Sequence, residues 1–176
     1  MASINEFLSS LSGGGARPNR FEALVEFPAF AATQEEIRKT SFLCQSTQLP
    51  GSNLGTMEVG FRGRSLKLAG DRTFEDLDLT FYNDTDFALR NAFEAWHNAI
   101  NQYNSNTGLP SPTEYLATVS LYQLDNEDNR IKEYVLKLAW PTVIAPIELD
   151  QTQNDAIETF SVTMAYSDIN IEGVST

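Results

Sequence analysis

The stretch GDRTFEDLDLTFYNDTDFALRNAFEAWHNAIN, residues 70–101, decides how this chain folds. Leu77, Leu79 and Phe81 alternate with Asp76, Asp78 and Thr80. Period-two alternation predicts a strand with one apolar and one acidic face. Asn83-Asp84-Thr85-Asp86 then breaks the pattern, and such side chains accept hydrogen bonds from the free N–H groups that open a helix. Leu89, Ala92, Phe93, Trp96, Ile100 and Tyr103 recur at helical spacing and predict one amphipathic helix over about Asp84–Tyr103. Asp86, Arg90 and Glu94 follow one another at intervals of four, which predicts ion pairs of only about 0.2–0.5 kcal/mol each. Packing of the aromatic stripe on a sheet must therefore supply most of the helix's stability.

On the N-terminal side, Met57, Val59 and Phe61 alternate, as do Leu66 and Leu68, around Arg62-Gly63-Arg64. This predicts a hairpin over 55–69. Before it, Phe21 to Phe27 and Thr40 to Gln48 read as strands, with one helical turn between them over 33–39. After the helix, Tyr115 to Leu124 and Ile131 to Trp140 read as two long strands around Asp125-Asn126-Glu127-Asp128-Asn129. Pro141 is expected to separate the second from Val143 to Leu149, where Pro146 marks an edge or a bulge. Phe160, Val162, Met164 and Tyr166 define the last clear strand. The sum is about eight strands and one substantial helix, a mainly β sandwich or barrel-like fold. One domain is expected over 1–176, with arms at about 1–18 and 167–176. Ile4, Phe7, Leu8 and Leu11 give the first arm a short helical pattern, ended by Gly13-Gly14-Gly15.

At 176 residues the chain buries enough surface to need no disulfide or metal staple. Its single Cys44 excludes an internal disulfide framework and reads as a buried free thiol on a strand. No apolar run reaches the ~20 residues a membrane span needs, and no secretory signal is expected. The net charge is −12, and six acids but no bases follow Lys137. That balance argues against tight binding to a nucleic-acid backbone; it is compatible with a surface that repels DNA and equally with ordinary solubility charge.

No chemical site stands out. Gly13-Gly14-Gly15-Ala16-Arg17-Pro18 lacks the Lys-Ser/Thr ending of a phosphate loop and reads as a hinge. His97 has no second histidine or thiol pair to build zinc ligation or a triad. Asp125 to Asn129 lacks the glycine and glutamate of a calcium loop and reads as a turn. Asp76 and Asp78 are expected to share a strand face, as an acid pair would, but an exposed sheet face explains them equally. Asn83-Asp84-Thr85 matches a glycosylation sequon, and helix capping explains it better. No catalytic residue, metal site or cofactor site is expected. Arg62, Arg64, Lys67 and Arg72 gather four of the twelve basic residues. They read either as solvated surface or as a complement for an acidic patch on an identical neighbour.

The chain resembles the tail tube proteins of contractile-tailed, T-even-like bacteriophages. The matching residues are Phe7-Leu8, Arg17-Pro18-Asn19-Arg20-Phe21, Phe42-Leu43-Cys44, Gln48-Leu49-Pro50-Gly51 and Phe61-Arg62-Gly63-Arg64. They continue through Gly70-Asp71-Arg72-Thr73-Phe74, Asn83-Asp84-Thr85-Asp86-Phe87, Arg90-Asn91-Ala92-Phe93-Glu94 and Glu158-Thr159-Phe160-Ser161-Val162-Thr163. The resemblance implies a sandwich or barrel-like subunit with a flanking helix, whose inner strands join into a closed barrel in a hexameric ring. Rings would stack into a hollow conduit inside a contractile sheath and deliver the genome into the host. It implies a virion component assembled in the host cytoplasm. The implied partners are the chain itself, tail sheath, baseplate, tail-terminator and tape measure proteins, and then genomic DNA without specific binding. Arg62, Arg64, Lys67, Arg72, Phe7 and Leu8 are the expected inter-subunit contacts. Asp76, Asp78 and Glu158 are candidates for an acidic lumen face. The alternatives are the tube of a phage-derived injection particle or of a type VI secretion-like apparatus, and, in another class, a small acidic carbohydrate-binding or hydrolytic tail protein.

Overall fold

The structure, a computed structural model, describes residues 3–11, 13 and 15–173. Gly14 of the glycine run and the last three residues of the expected C-terminal arm lie outside it. Helix α1 (Ile4–Ser10) opens with a capping box in which Ser3 and Glu6 exchange side-chain and backbone hydrogen bonds. Strand β1 (Phe21–Glu26) follows, burying Ala23 and Val25. Helix α2 (Gln34–Leu43) is longer than the single turn expected and replaces the first part of the expected strand over 40–48. Buried Thr40 is the reason. Its hydroxyl donates to Ile37 O at 2.6 Å and accepts the Val25 N–H at 3.2 Å, pinning the helix to β1. Thr40 to Leu43 are thus helical, and Phe42 points to solvent.

Strand β2 (Cys44–Thr47) leads to a hairpin of β3 (Ser52–Phe61) and β4 (Arg64–Phe74). Strand β5 (Leu77–Tyr82) buries Leu77, Leu79 and Phe81 as the alternation requires. Helix α3 (Ala88–Ile100) is shorter at both ends than expected. Its N-cap is Phe87, at φ 53° and with no side-chain cap; Asp84 Oδ1 instead accepts the Ala88 N–H at 3.2 Å. Arg90 pairs with Glu94 at 2.6 Å, but Asp86 makes no ion pair with it. Arg90 reaches instead to Ala145 O, at 2.7 Å, and lies over the Phe160 ring.

A short helix α4 (Pro112–Tyr115) precedes β6 (Ala117–Leu124), and β7 (Arg130–Ile144) runs on through Pro141. The expected break is absent because β6 pairs only as far as Ala139, so beyond it the proline's missing N–H deprives no β6 carbonyl of a partner. Strands β8 (Thr159–Ala165) and β9 (Asp168–Gly173) lie end to end along the other side of β7. Residues 168–173 therefore add an edge strand where an extended arm was expected. Their alternating Ile169 and Ile171 continue the apolar face of β7.

The architecture turns on β7. Its first half pairs with β6 and β9, its second half with β8. Leu138 stands at the change, at φ 57°, and lets the strand pass from one sheet to the other. The order β1-β6-β7-β8-β5-β2 forms two layers joined by this bent strand. Helix α3 lays Leu89, Phe93 and Trp96 into the core, all 1 % exposed or less. Phe27, Phe81, Phe93, Trp96 and Phe160 form one aromatic cluster, with Phe27 and Phe93 edge-to-face at 4.8 Å. Each such side chain contributes about 1.5–3 kcal/mol on burial, far above the Arg90–Glu94 pair.

Candidate assembly surfaces

The hairpin β3–β4 forms a sheet of its own. Among the described residues its strands pair only with each other, and every residue of β3 is exposed. A two-residue turn, Arg62 at φ 49° and Gly63 at φ 80°, joins them. Cross-strand pairs Met57–Leu68 and Val59–Leu66 share one face with Phe61. These five side chains are 42–69 % exposed. The opposite face is polar: Lys67 Nζ lies 3.6 Å from Glu58, which also accepts from Ser65 Oγ. An isolated two-stranded ribbon is marginal in water, so an apolar face left open along its length calls for a partner.

The four clustered basic residues are not equivalent. Lys67 is engaged by Glu58, and Arg72 donates to Ser52 Oγ at 3.2 Å. Arg62 and Arg64 make no ion pair among the described residues and stand at the exposed tip, with the Arg62 guanidinium 5.2 Å from the Phe61 ring centroid. Helix α1 also presents an open apolar face: Phe7 and Leu8 are each 60 % exposed.

The three acidic candidates do not share one face. Asp78 lies on the outer face of β5, where Thr163 Oγ1 donates to it at 2.6 Å. Asp76 precedes the strand, in the link from β4, near Tyr166, whose phenol pKa is raised by burial first and then by the charges of Asp76 and Glu75. Glu158 sits beyond the far end of the same strand pair and accepts from Asn83 Nδ2 at 2.7 Å. Sequence reasoning missed an acidic row on the outer face of the other sheet. Register aligns Glu22, Tyr122, Glu133 and Glu172 across β1, β6, β7 and β9. Arg130 pairs with Glu22 at 2.9 Å and stacks 3.7 Å from the Tyr122 centroid. No local signal marks such a row, since its members are far apart in sequence.

The expected strand over Val143 to Leu149 ends early. Strand β7 stops at Ile144, and the Ala145 N–H still donates to Ser161 O at 2.8 Å. Pro146, which has no N–H, leaves the ladder, so the segment from there to β8 is irregular. It folds around a cleft of about 700 Å³ bordered by Glu148, Leu149, Asp150, Ile157 and Glu158. Leu149 and Ile157 are 85 % and 70 % exposed. The signal available was a pair of large apolar residues inside an acidic loop.

The remaining polar groups serve the fold. Asp125 accepts the N–H groups of Glu127 and Asn129 at 2.7 and 2.9 Å, which closes the β6–β7 turn and holds its carboxyl below the usual range. Burial pushes the half-buried Cys44 thiol up to about 12, so it carries no thiolate near neutrality. His97 lies beside Tyr103, their ring centroids 6.4 Å apart. Among the described residues no three His, Cys, Asp or Glu side chains group as a metal site, and no helix is long and apolar enough to cross a membrane.

Comparison with known proteins agrees with this picture of a structural β subunit. A tail tube protein of Serratia phage KSP90 is 36 % identical over 94 % of this chain and 95 % of its own length. The tail tube protein of Enterobacteria phage T4 is 34 % identical over 88 % of this chain and 90 % of its own. Among solved structures, a chain of the extended sheath–tube complex of an extracellular contractile injection system superposes with a TM-score of 0.61, at 15 % identity. That superposition covers 99 % of this chain and 100 % of the other. A chain of the anti-feeding prophage cap gives 0.63 at 17 % identity, over 87 % of this chain and 89 % of its own. These two show a shared fold. The sequence profile of the phage tail tube proteins matches residues 16–172, and the chain belongs to that family.

Proposed function

We propose that this chain is the building subunit of a phage tail tube, in which six copies close a ring and rings stack into a hollow conduit. A contractile sheath surrounds the tube, a baseplate and a terminator bound its ends, and a tape measure protein and then the genome occupy the lumen. Its role is mechanical and involves no turnover. Joining the inner strands of six copies into one barrel would remove the free sheet edges that otherwise invite aggregation. The observation that supports this reading is the hairpin Ser52–Phe74, whose apolar face has no partner among the described residues of its own chain. An acidic lumen keeps DNA from adhering; Asp78 and the row Glu22–Glu133–Glu172 are two outward faces able to supply it.

Electron microscopy of the purified protein, with baseplate present as nucleator, tests the reading. Sixfold rings or tubes are expected. Monomers alone at high protein concentration would overturn it. The second reading, the tube of an injection particle, rests on the fold shared with the contractile injection system chain. Sheath, portal and capsid genes beside this one favour the phage tail, and effector genes favour the particle.

A further inference from the structure

Helix α1 and a groove beside α3 are both uncovered, and they lie beyond opposite ends of β1. In α1, Ile4, Phe7, Leu8 and Leu11 recur at helical spacing and form one apolar face, 38–76 % exposed. No residue of α1 is buried, and none packs on the core. Its polar face is closed on itself: Glu6 completes the capping box, and the Ser9 and Ser10 hydroxyls donate to Glu6 O and Phe7 O. A helix of seven residues has little stability of its own in water, so α1 calls for a surface to lie on. The groove, of about 400 Å³, runs between residues 29–33 and one side of α3. Ala88, Ala92 and Ala95 share that side at i, i+4 and i+7, and their small side chains leave a hollow that large ones fit. Glu36 is the one charged group bordering it among the described residues. Glu6 lies on the polar face of α1, so a docked α1 keeps the two acids apart.

The helix cannot reach the groove of its own chain. Gly13 O accepts from Asn126 Nδ2 at 3.1 Å, which ties the arm to the β6–β7 turn, beyond the Phe21 end of β1. The groove begins at Ala29, beyond the Glu26 end. Strand β1 alone spans about 17 Å, and both features lie outside it. Phe7 and Gly13 are at most about 15 Å apart, a helical turn plus three extended residues.

Resting on the tube reading above, we infer that Phe7 and Leu8 of one copy enter the α3 groove of a second copy displaced along the direction of β1. The two surfaces differ and each copy carries one of each, so the contact is heterologous. It repeats without closing on itself, as a tube of arbitrary length needs. Four apolar side chains cover far less than the roughly 800 Å² per partner of a stable pair. The contact therefore acts inside an assembly that other surfaces also join, and it does not make a dimer by itself.

Cross-linking tests the pairing. Leu8 and Ala95 are both exposed, so cysteine at either position is compatible with the fold. Tubes of the chain carrying Leu8→Cys with Ala95→Cys, treated with a short bis-maleimide, should give ladders of linked copies on a denaturing gel. Either single variant should give none, which also controls for Cys44. Phe7→Ser with Leu8→Ser should lower the fraction of protein in tubes by roughly tenfold or more. Circular dichroism and melting of that subunit should stay near wild type, since neither residue packs on its own core. Ala95→Trp fills the groove and should act in the same direction. If the serine variant forms tubes as the wild type does, or tubes of the double-cysteine chain give no ladder, the pairing is wrong although wild-type tubes still uphold the tube reading. If the wild type itself forms neither rings nor tubes, the tube reading falls and the pairing with it.

Discussion

Lys39 Nζ donates to Asp84 Oδ2 at 3.0 Å, while Oδ1 of the same carboxylate accepts the Ala88 N–H. One side chain thereby fastens α2 to the start of α3, at a helix N-terminus where the N-cap residue Phe87 supplies no side-chain cap of its own. The positive end of the helix and the lysine both favour the ionised carboxylate.

The Lys39 hydrogen bond and the Ala88 N–H hold the Asp84 carboxyl below its ordinary value of about 3.9. A depressed folded-state value adds stability that is fully present above about pH 4 and is lost as pH falls through the folded value. Asp84→Asn should therefore lower the melting temperature at pH 7, and the gap to wild type should narrow steadily below pH 4. A gap independent of pH would show that the carboxylate's charge does not act at this joint.

Trp96 is fully buried and donates from Nε1 to Tyr115 O at 2.8 Å, tying α3 to α4. Trp96→Ala should cost about 3–5 kcal/mol in urea unfolding. Trp96→Phe retains most of the packing but leaves the carbonyl unpaired, and should cost about 1–3 kcal/mol.

Leu138 holds φ 57° at the bend of β7, a conformation that costs an L residue about 1–2 kcal/mol. Its side chain is half exposed. Leu138→Gly should raise stability by up to about 1 kcal/mol, and Leu138→Val should lower it by about the same amount, because a β-branched residue resists positive φ. Thermal melts of the two variants should move in opposite directions.

Met57 and Leu66 contribute nothing to the core of their own chain. Replacing both with serine should leave the melting of the isolated subunit within about 0.5 kcal/mol of wild type, as for other surface changes. Sedimentation should nevertheless show fewer and shorter assemblies. Unchanged assembly would assign the open apolar face no part in the contact.

Local pattern carried much of the fold. The alternation of Leu77, Leu79 and Phe81 and the stripe from Leu89 to Trp96 were legible because strands and helices impose their own periods on the chain. The turn at Arg62-Gly63 was legible from its residues. The segment from Thr40 misled because a hydroxyl bonded to a distant strand's amide anchors it as the last turn of a helix. Pro141 misled because its tolerance depends on where β6 stops. The basic cluster was visible, but only the geometry separates Arg62 and Arg64 from Lys67 and Arg72, which bind partners in their own hairpin.

The sequence by itself determined the strand–turn–helix centre, the hairpin and the acidic balance of the chain, since none of these needs a long-range contact to be read. The tertiary structure decided that β7 serves two sheets and that Met57, Val59, Leu66 and Leu68 face outward. The physical reason is that alternation marks an apolar face without saying what covers it. A face packed into the subunit's own core and a face kept for another molecule have the same period, and only the long-range pairing of strands tells them apart.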